Sequence, residues 1–506
     1  MSTTNQYIKL KNGELLLTAN IPVFPYEEFK EQTMLLLKDV ETAHCSQYFA
    51  IPKGNGFQLI MVITQDVQHE FLTFSHMLTS IDTPLESLTQ HIEALHIFER
   101  EIHENFDIKF LNHPWLKPLR YAHNRADQSK NISNYPFYKF DTTEMHDVSV
   151  GPIHAGIIEP GHFRFSCHGE TVKHLEIQLG WQHRGIEALM LHKKTDLQRT
   201  ILAESITGDT TIGHTTVFVN VMESLAKIEI ESNLSIERSL ALELERIAIH
   251  TGDLSGMCTD VAYQLGSAVF SGLRTPIINF TQHWCGNRFG RGLIRIGGTN
   301  YPLTNDLKAE LLAILELFEP RFVEMAEKMF NIASVIKRFE GIGIISKMNV
   351  GLLGCVGMVA KTAGLKRDVR LNHPSKYFQS VEFEPITCVS GDVMARAFLR
   401  YQEVLQSIQL VKTMLQAHQE NMNCIKPNHK IKLQPNSFAV SATEGWRGEV
   451  VHSAVTNSKG SLAWYKIKDP SMHNWKALEL SLRNVEISDF PINNKSYDLS
   501  YSGHDL

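Results

Sequence analysis

Apolar positions recur along this chain in two different rhythms, and the change between them marks its organisation. Tyr26-Glu-Glu-Phe-Lys-Glu-Gln-Thr-Met-Leu-Leu-Leu-Lys38 repeats its apolar residues at helical spacing. Phe57-Gln-Leu-Ile-Met-Val-Ile-Thr64 is a short apolar run rich in branched side chains, which predicts a buried strand, and Glu70-Phe-Leu-Thr-Phe-Ser75 predicts a second. Residues 1–121 therefore read as a small α+β domain. From 122 to 147 the periodicity is lost among Asn, Asp, Gln, Ser and Lys, which predicts a linker carrying the aromatic patch Tyr135-Pro-Phe-Tyr138. Residues 148–506 read as one larger domain, mostly helical from about 180 to 425, with strands near 435–470 such as Ser461-Leu-Ala-Trp-Tyr-Lys-Ile-Lys468. A helix is predicted to begin within Gly180–Met190, and another to run from about Thr215 to Lys227. The most regular helix is Glu237–Asp253, whose core face is Leu240, Leu244, Ile247 and Thr251. Glu245 and Arg246 are adjacent on it, face different sides and are expected to tie to different neighbours.

Composition narrows the classes. Of 506 residues, 43% are hydrophobic and 21% charged, as in an ordinary globular protein with a sizeable core. A net charge of −6 gives no reason to expect a nucleic-acid partner or direct attraction to an anionic membrane. The seven cysteines, Cys45, Cys167, Cys258, Cys285, Cys355, Cys388 and Cys424, are odd in number and never two residues apart. That argues against a disulfide framework and against a local zinc or iron–sulfur site. The polar start Met1-Ser-Thr-Thr-Asn-Gln6 has no signal-peptide character, and no apolar run approaches a membrane span.

Several stretches carry recognisable wording. Glu99-Arg100-Glu101, Phe106, Ile108, Phe110, His113-Pro114 and Leu116 stand in one register. That pattern resembles the C subunit of respiratory complex I, departing from it at Asn105 (family Asp) and Asp107 (family Gly). In the family this segment is an interaction surface. Further on, Gly151-Pro-Ile-His154 opens a glycine-rich turn running to Phe165, and His183, Gly185 and Glu187 begin a helix. Glu245, Arg246, His250 and Asp253 follow, then Arg295-Ile-Gly-Gly298, Arg367-Asp-Val-Arg370, Gly391-Asp-Val-Met-Ala-Arg396 and Glu444-Gly-Trp-Arg-Gly-Glu449. Together these resemble the complex I D subunit and the nickel–iron hydrogenase large subunits, most of all those of formate hydrogenlyase (group 4). The implied fold is an α+β N-terminal domain followed by a mostly α large-subunit domain with small antiparallel sheets.

The resemblance fails where that family binds metal. Its large subunits hold a nickel–iron pair with an E-x-x-C-G-x-C-x-x-x-H segment and a C-terminal C-x-x-C segment. Here the first reads Glu204-Ser-Ile-Thr207-Gly208-Asp-Thr210-Thr-Ile-Gly-His214, and the second follows Asp498 as Ser500-Tyr-Ser-Gly503. Thr207, Thr210, Ser500 and Gly503 replace all four cysteines. Hydroxyls stay protonated near neutral pH and are poor ligands for a soft metal, so no metal is expected on this chain. The quinone-facing positions of complex I fall on Pro160 and Thr207, with His162 two residues from the first. The proton-relay glutamate position of hydrogenases also falls on Pro160, beside Glu159.

The resemblance implies a pocket of Arg447, His162 and Thr207 as candidate catalytic residues, with Thr210, Ser500, Glu204, His214, Glu159 and Asp498 around it. A buried guanidinium needs a partner, and Asp498 or Glu449 is expected against Arg447. Three readings stay open. The first is the hydrophilic large subunit of a membrane-bound, NADH dehydrogenase-like and by family NAD-linked complex, taking electrons from an iron–sulfur small subunit beside membrane-embedded subunits. The second is a quinone-reducing subunit proper, and the third a structural or coupling subunit with a vestigial pocket. A peripheral position on the cytoplasmic face of the plasma membrane, with no cofactor bound by this chain, quinone a compatible ligand and the iron–sulfur cluster in the partner, follows from the family.

Overall fold

The computed structural model describes residues 7–154, 158–420 and 425–506. The polar start Met1–Gln6, the Ala155–Ile157 part of the glycine-rich turn and Cys424 lie outside the described residues. The predicted α+β unit forms first. Strands Ile8–Leu10, Glu70–Leu78, Gly56–Gln65 and Ala43–Lys53 lie side by side and antiparallel, with Val23–Phe24 added in parallel to Glu70–Leu78. Helices Tyr26–Leu36 and His96–Phe106 contribute Phe29, Phe98 and Ile102 to one core with Tyr48, Met61 and Phe74 from the strands. The second helix ends at Asp107 with φ 56°, a left-handed cap, which is why the related pattern has glycine there and why Asp is tolerated.

The complex I C-like segment does not present its acidic residues to solvent. Glu99 is fully buried and accepts from the Leu88 N–H (2.8 Å), Ser87 Oγ (2.5 Å) and Thr89 Oγ1 (2.7 Å). Glu101 accepts from Lys466 Nζ at 2.6 Å and pairs with Arg120. Its interaction is therefore internal, between this unit and the strand Leu462–Lys468 of the larger one.

The larger unit is helical at its centre. Thr211–Ala226, Ser232–Asp260, Gln264–Cys285, Asn305–Phe330 and Val393–Ala417 pack around the largest core cluster. The predicted Glu237–Asp253 helix extends by five residues at the front and seven at the back, and its predicted core face is buried. Residues 180–185 are a turn, and their helix begins at Ile186 behind Gly185, whose φ is 68°. Two small antiparallel sheets flank the helices. One comprises His146–Val150, His162–His168 and Thr171–Gln178. The other orders Leu462–Lys468, Gly448–Thr456, Ser437–Gly445 and Leu15–Leu17, so a strand from the start of the chain completes a sheet built near its end. No helix among the described residues is long and apolar enough to cross a membrane.

Candidate functional site

Three chain segments meet at one buried place. The first is the loop 204–210, which ends at Thr210, the N-cap residue of Thr211–Ala226. The second is the tip of the Ser437–Gly445/Gly448–Thr456 hairpin, where Gly445 pairs with Gly448 and Trp446-Arg447 form the turn. Gly357 holds this tip: a Cβ there would lie 2.1 Å from the Arg447 carbonyl oxygen and 2.2 Å from Gly448 Cα. The third is the terminal segment, in which Asp498 caps Phe490–Tyr497 and Ser500 caps Tyr501–Asp505 through the Gly503 N–H (2.9 Å).

Arg447 joins the first and third segments. Its Nη1 and Nη2 each donate at 2.7 Å to the Asp209 carboxylate, a bidentate pair, and its Nε donates to the Asp498 carbonyl at 2.5 Å. Nη1 also reaches Thr210 Oγ1 at 3.3 Å, and the guanidinium stacks on Trp446 at 3.9 Å. Burial works against the charge, but Asp209, Asp498 and Asp469 outweigh it and hold the guanidinium above its ordinary value. The expected partners need correction. Glu449 lies elsewhere, against His44 (3.0 Å) and Lys468 (3.1 Å). The Asp498 carboxylate is 3.9 Å away and serves chiefly Lys495 at 2.8 Å. Asp209, from inside the first motif, takes the role.

Asp469 makes a second join. Its Oδ2 meets His214 Nε2 at 3.0 Å, and its Oδ1 accepts from the Ser471 N–H at 2.8 Å. Ser471 Oγ in turn accepts from the Ser500 N–H at 3.0 Å. A Cβ built on Gly503 would stand 2.6 Å from Asp469 Cγ, so the carboxylate occupies the space a cysteine there would need. Burial opposes the Asp469 charge, but the His214 hydrogen bond and Arg447 carry its pKa down. Behind His214 the chain continues: His214 Nδ1 is 3.1 Å from His452 Nε2, and His452 Nδ1 is 2.8 Å from Tyr465 Oη. The partners fix one set of tautomers in which Tyr465 donates to His452, His452 to His214 and His214 to Asp469. Burial and His214 hold the His452 imidazole well below its usual value, in keeping with a neutral ring.

The remaining sequence candidates divide. Thr207 is buried and accepts the Thr210 N–H at 3.1 Å; Ser500 is buried as a cap. Glu159 is half-buried and accepts the Ser502 N–H at 3.1 Å, against the terminal segment. Glu204 turns away from the pocket and pairs with Arg295 at 2.5 Å while accepting the Gly292 N–H at 2.8 Å, which pins the Arg295-Ile-Gly-Gly298 loop. His162 is not in the pocket either. Strand alternation sends Phe163 toward Tyr501 and Phe490, and His162 to the opposite face against Phe137 at 5.1 Å.

These residues do not fit a nickel–iron pair. Three of the four positions offer neutral hydroxyls already engaged in hydrogen bonds, the fourth offers no side chain, and a fixed cation lies among them. Beside them is an apolar cleft. Ile212, Leu244, Ala248, Ile278, Trp284 and Phe289 surround about 20 Å³, water-sized, whose polar walls are Asp209, Glu245, Thr281 and the exposed Arg288.

Comparison with known proteins agrees with this architecture. The family model of the respiratory-chain NADH dehydrogenase 30 Kd subunit matches residues 25–133, and that of the 49 Kd subunit matches residues 260–438. Hydrogenase-4 component G of Escherichia coli is 26% identical over 391 residues, covering 77% of this chain and 67% of that protein. Formate hydrogenlyase subunit 5 of the same organism is 25% identical, over 70% of this chain and 62% of its own. The C/D subunit of NADH-quinone oxidoreductase from Phocaeicola vulgatus is 24% identical over 478 residues, 86% of this chain and 89% of that one. Arg447 and both motif segments lie outside the two matched ranges. Residues 25–133 belong to the complex I 30 kDa subunit family and residues 260–438 to the 49 kDa subunit family, fused in one polypeptide that is similar to hydrogenase and formate hydrogenlyase subunits.

Proposed function

We propose that this chain is the peripheral large subunit of a membrane-bound, complex-I-like oxidoreductase, on the cytoplasmic face beside membrane-embedded subunits. It receives electrons from a partner iron–sulfur small subunit and performs no H2 chemistry. The observation that carries this reading is the pair of joins between the two motif segments. Arg447 links Asp209 to Asp498, and Asp469 links His214 to the Ser500–Gly503 cap, in the place where the motif resemblance implies a metal pair in nickel–iron hydrogenases. Protein side chains do the cross-linking here, and they leave a polar locus without thiolate ligands.

Quinone is the acceptor class this locus suits. The apolar cleft beside Asp209 is water-sized and carries hydrogen-bonding groups, so it admits a carbonyl oxygen of an acceptor and not its ring. The competing reading, a coupling subunit without chemistry of its own, has its own support: Thr207, Thr210, Ser500 and Arg447 are all 4% exposed or less. Purified native complex separates the two when assayed for NADH-, formate- and ferredoxin-driven reduction of a soluble quinone, with metal analysis of the same sample. Quinone turnover lost in Arg447→Ala, without nickel, supports the acceptor reading. Absence of turnover with every donor leaves the coupling role. Stoichiometric nickel in this chain overturns both.

A further inference from the structure

Glu245 belongs to neither motif segment, yet it faces the same locus from the long helix Ser232–Asp260. Its two carboxyl oxygens accept backbone N–H groups of Ile212 (2.8 Å) and Gly213 (3.2 Å), in the first turn of the 16-residue helix Thr211–Ala226. Glu245 also lines the water-sized cavity of the apolar cleft together with Asp209. The neighbouring Arg246 points the other way, toward the Glu444 and Gly445 carbonyls (2.9 and 3.2 Å), so it does not neutralise Glu245. Around Glu245 the titratable and charged groups are Asp209 from the motif loop, Arg288 from the loop after Gln264–Cys285, and Arg246 on its own helix.

We propose that Glu245 is the proton donor of this site, a carboxylic acid at the inner end of the cleft that receives the electron acceptor. The proposal rests on the quinone reading above. A cavity of about 20 Å³ takes a carbonyl oxygen or a water, not a ring, so the acceptor ring lies outward of it. Burial and the Asp209 charge favour the neutral acid; burial is the larger cause, and the carboxyl rises to about 8. The two N–H groups at the positive end of the Thr211–Ala226 helix then stabilise the carboxylate left when the proton departs. One group thus holds a proton at rest and tolerates its loss, which is what a general acid requires.

The step balances as follows. The Glu245 O–H bond breaks, and an O–H bond forms on a quinone oxygen as the quinone takes electrons from the partner's iron–sulfur cluster. Two electrons and two protons complete the quinol. The protons pass one at a time, and water reprotonates Glu245 between them.

The test uses the native complex carrying Glu245→Gln, with Glu245→Asp as the rescue variant. Glu245→Gln keeps the shape and accepts the same N–H groups but has no acidic proton. Its kcat for quinone is expected to fall by about 10²-fold, with KM little changed. Glu245→Asp should recover part of kcat, with a displaced pH profile. Infrared difference spectra of the wild type should show a protonated-carboxyl C=O band that disappears as pH rises through about 8 and is missing in Glu245→Gln. Donor reduction of the partner's cluster serves as the assembly control. Quinone turnover that Glu245→Gln retains overturns the proposal while leaving the acceptor reading in place, as does a carboxylate already ionised at pH 6. A wild-type complex with no quinone turnover removes the acceptor reading and the role of Glu245 with it.

Discussion

Two buried charge clusters share the Ser437–Gly445/Gly448–Thr456 hairpin, and they are built on opposite principles. Next to the turn, Lys361 meets Asp368 (3.2 Å), Glu444 (3.3 Å) and Glu403, while Glu403 also takes His250 at 2.8 Å. Arg370 bridges Asp368 (2.7 Å) and Glu243 (3.0 Å), and Arg246 donates to the hairpin backbone. All of these side chains are 5% exposed or less, so every charge is answered inside the protein. Three residues from Glu444, at the tip, Arg447 meets an Asp209 that is 37% exposed beside an apolar cleft. The Lys361 cluster fixes this end of the hairpin, and the tip presents a charge where solvent or a ligand can reach its partner. A closed lattice specifies position, whereas a half-open pair can respond to what binds.

That contrast sets the scale of four substitutions. Lys361→Ala leaves Glu403, Asp368 and Glu444 facing one another without a cation, and should cost about 3–5 kcal/mol. Urea unfolding of the purified chain measures it, and a loss under 1 kcal/mol, about what an exposed pair contributes, would put the lattice on a par with a surface pair. Gly503→Ala drives a methyl group into Asp469 and should cost about 1–3 kcal/mol, with the His214–Asp469 contact broken. Loss of the hydrogen-bonded imidazole signal in NMR checks the second half. Arg447→Ala should cost only about 1 kcal/mol, because water can solvate the half-exposed Asp209 left behind. A larger loss would mean that the tip is as closed as the Lys361 cluster.

The fourth is a pH dependence. The Glu245 carboxyl is raised from an ordinary value of 4.5 to about 8 in the folded chain. Its stability contribution is therefore full below about 4.5 and is lost as pH rises toward about 8. Unfolding midpoints measured across that window should fall less steeply in Glu245→Gln than in the wild type. Parallel curves would show that Glu245 titrates as an exposed glutamate.

Much of the scaffold is legible in the sequence, and the reasons are local. The Leu240, Leu244, Ile247 and Thr251 stripe gives the long helix, and the adjacency of Glu245 and Arg246 foretells their divergence, one to a helix N-terminus and the other to the hairpin. Complex I wording identifies both units because scaffold positions dominate the match. The site is less legible. Asp209 and Arg447 are 238 residues apart, and no periodicity joins them. The signal available was chemical: a carboxylate between the two replaced cysteines, in a chain with a buried arginine needing one. For His162 the signal was parity, since Phe163, Phe165 and Cys167 occupy the inner face and leave His162 on the outer one. Glu204 gives no such warning, because its partner Arg295 is chosen by the return of a distant loop.

The strand Leu15–Leu17 lies against Ser437–Ala439, so residues made at the start of synthesis complete a sheet whose other strands are made near the end. Until those arrive, the emerging first unit carries an unpaired strand and a Glu101 that has Arg120 but lacks its second cation, Lys466. Contacts of such sequence separation close late, and an open edge in the meantime invites pairing with the wrong chain. The fused polypeptide therefore has a built-in order of assembly. Its α+β unit is synthesised before the larger one yet finished only with it, and a chain truncated before the hairpin should be held by chaperones or aggregate rather than accumulate as a folded fragment.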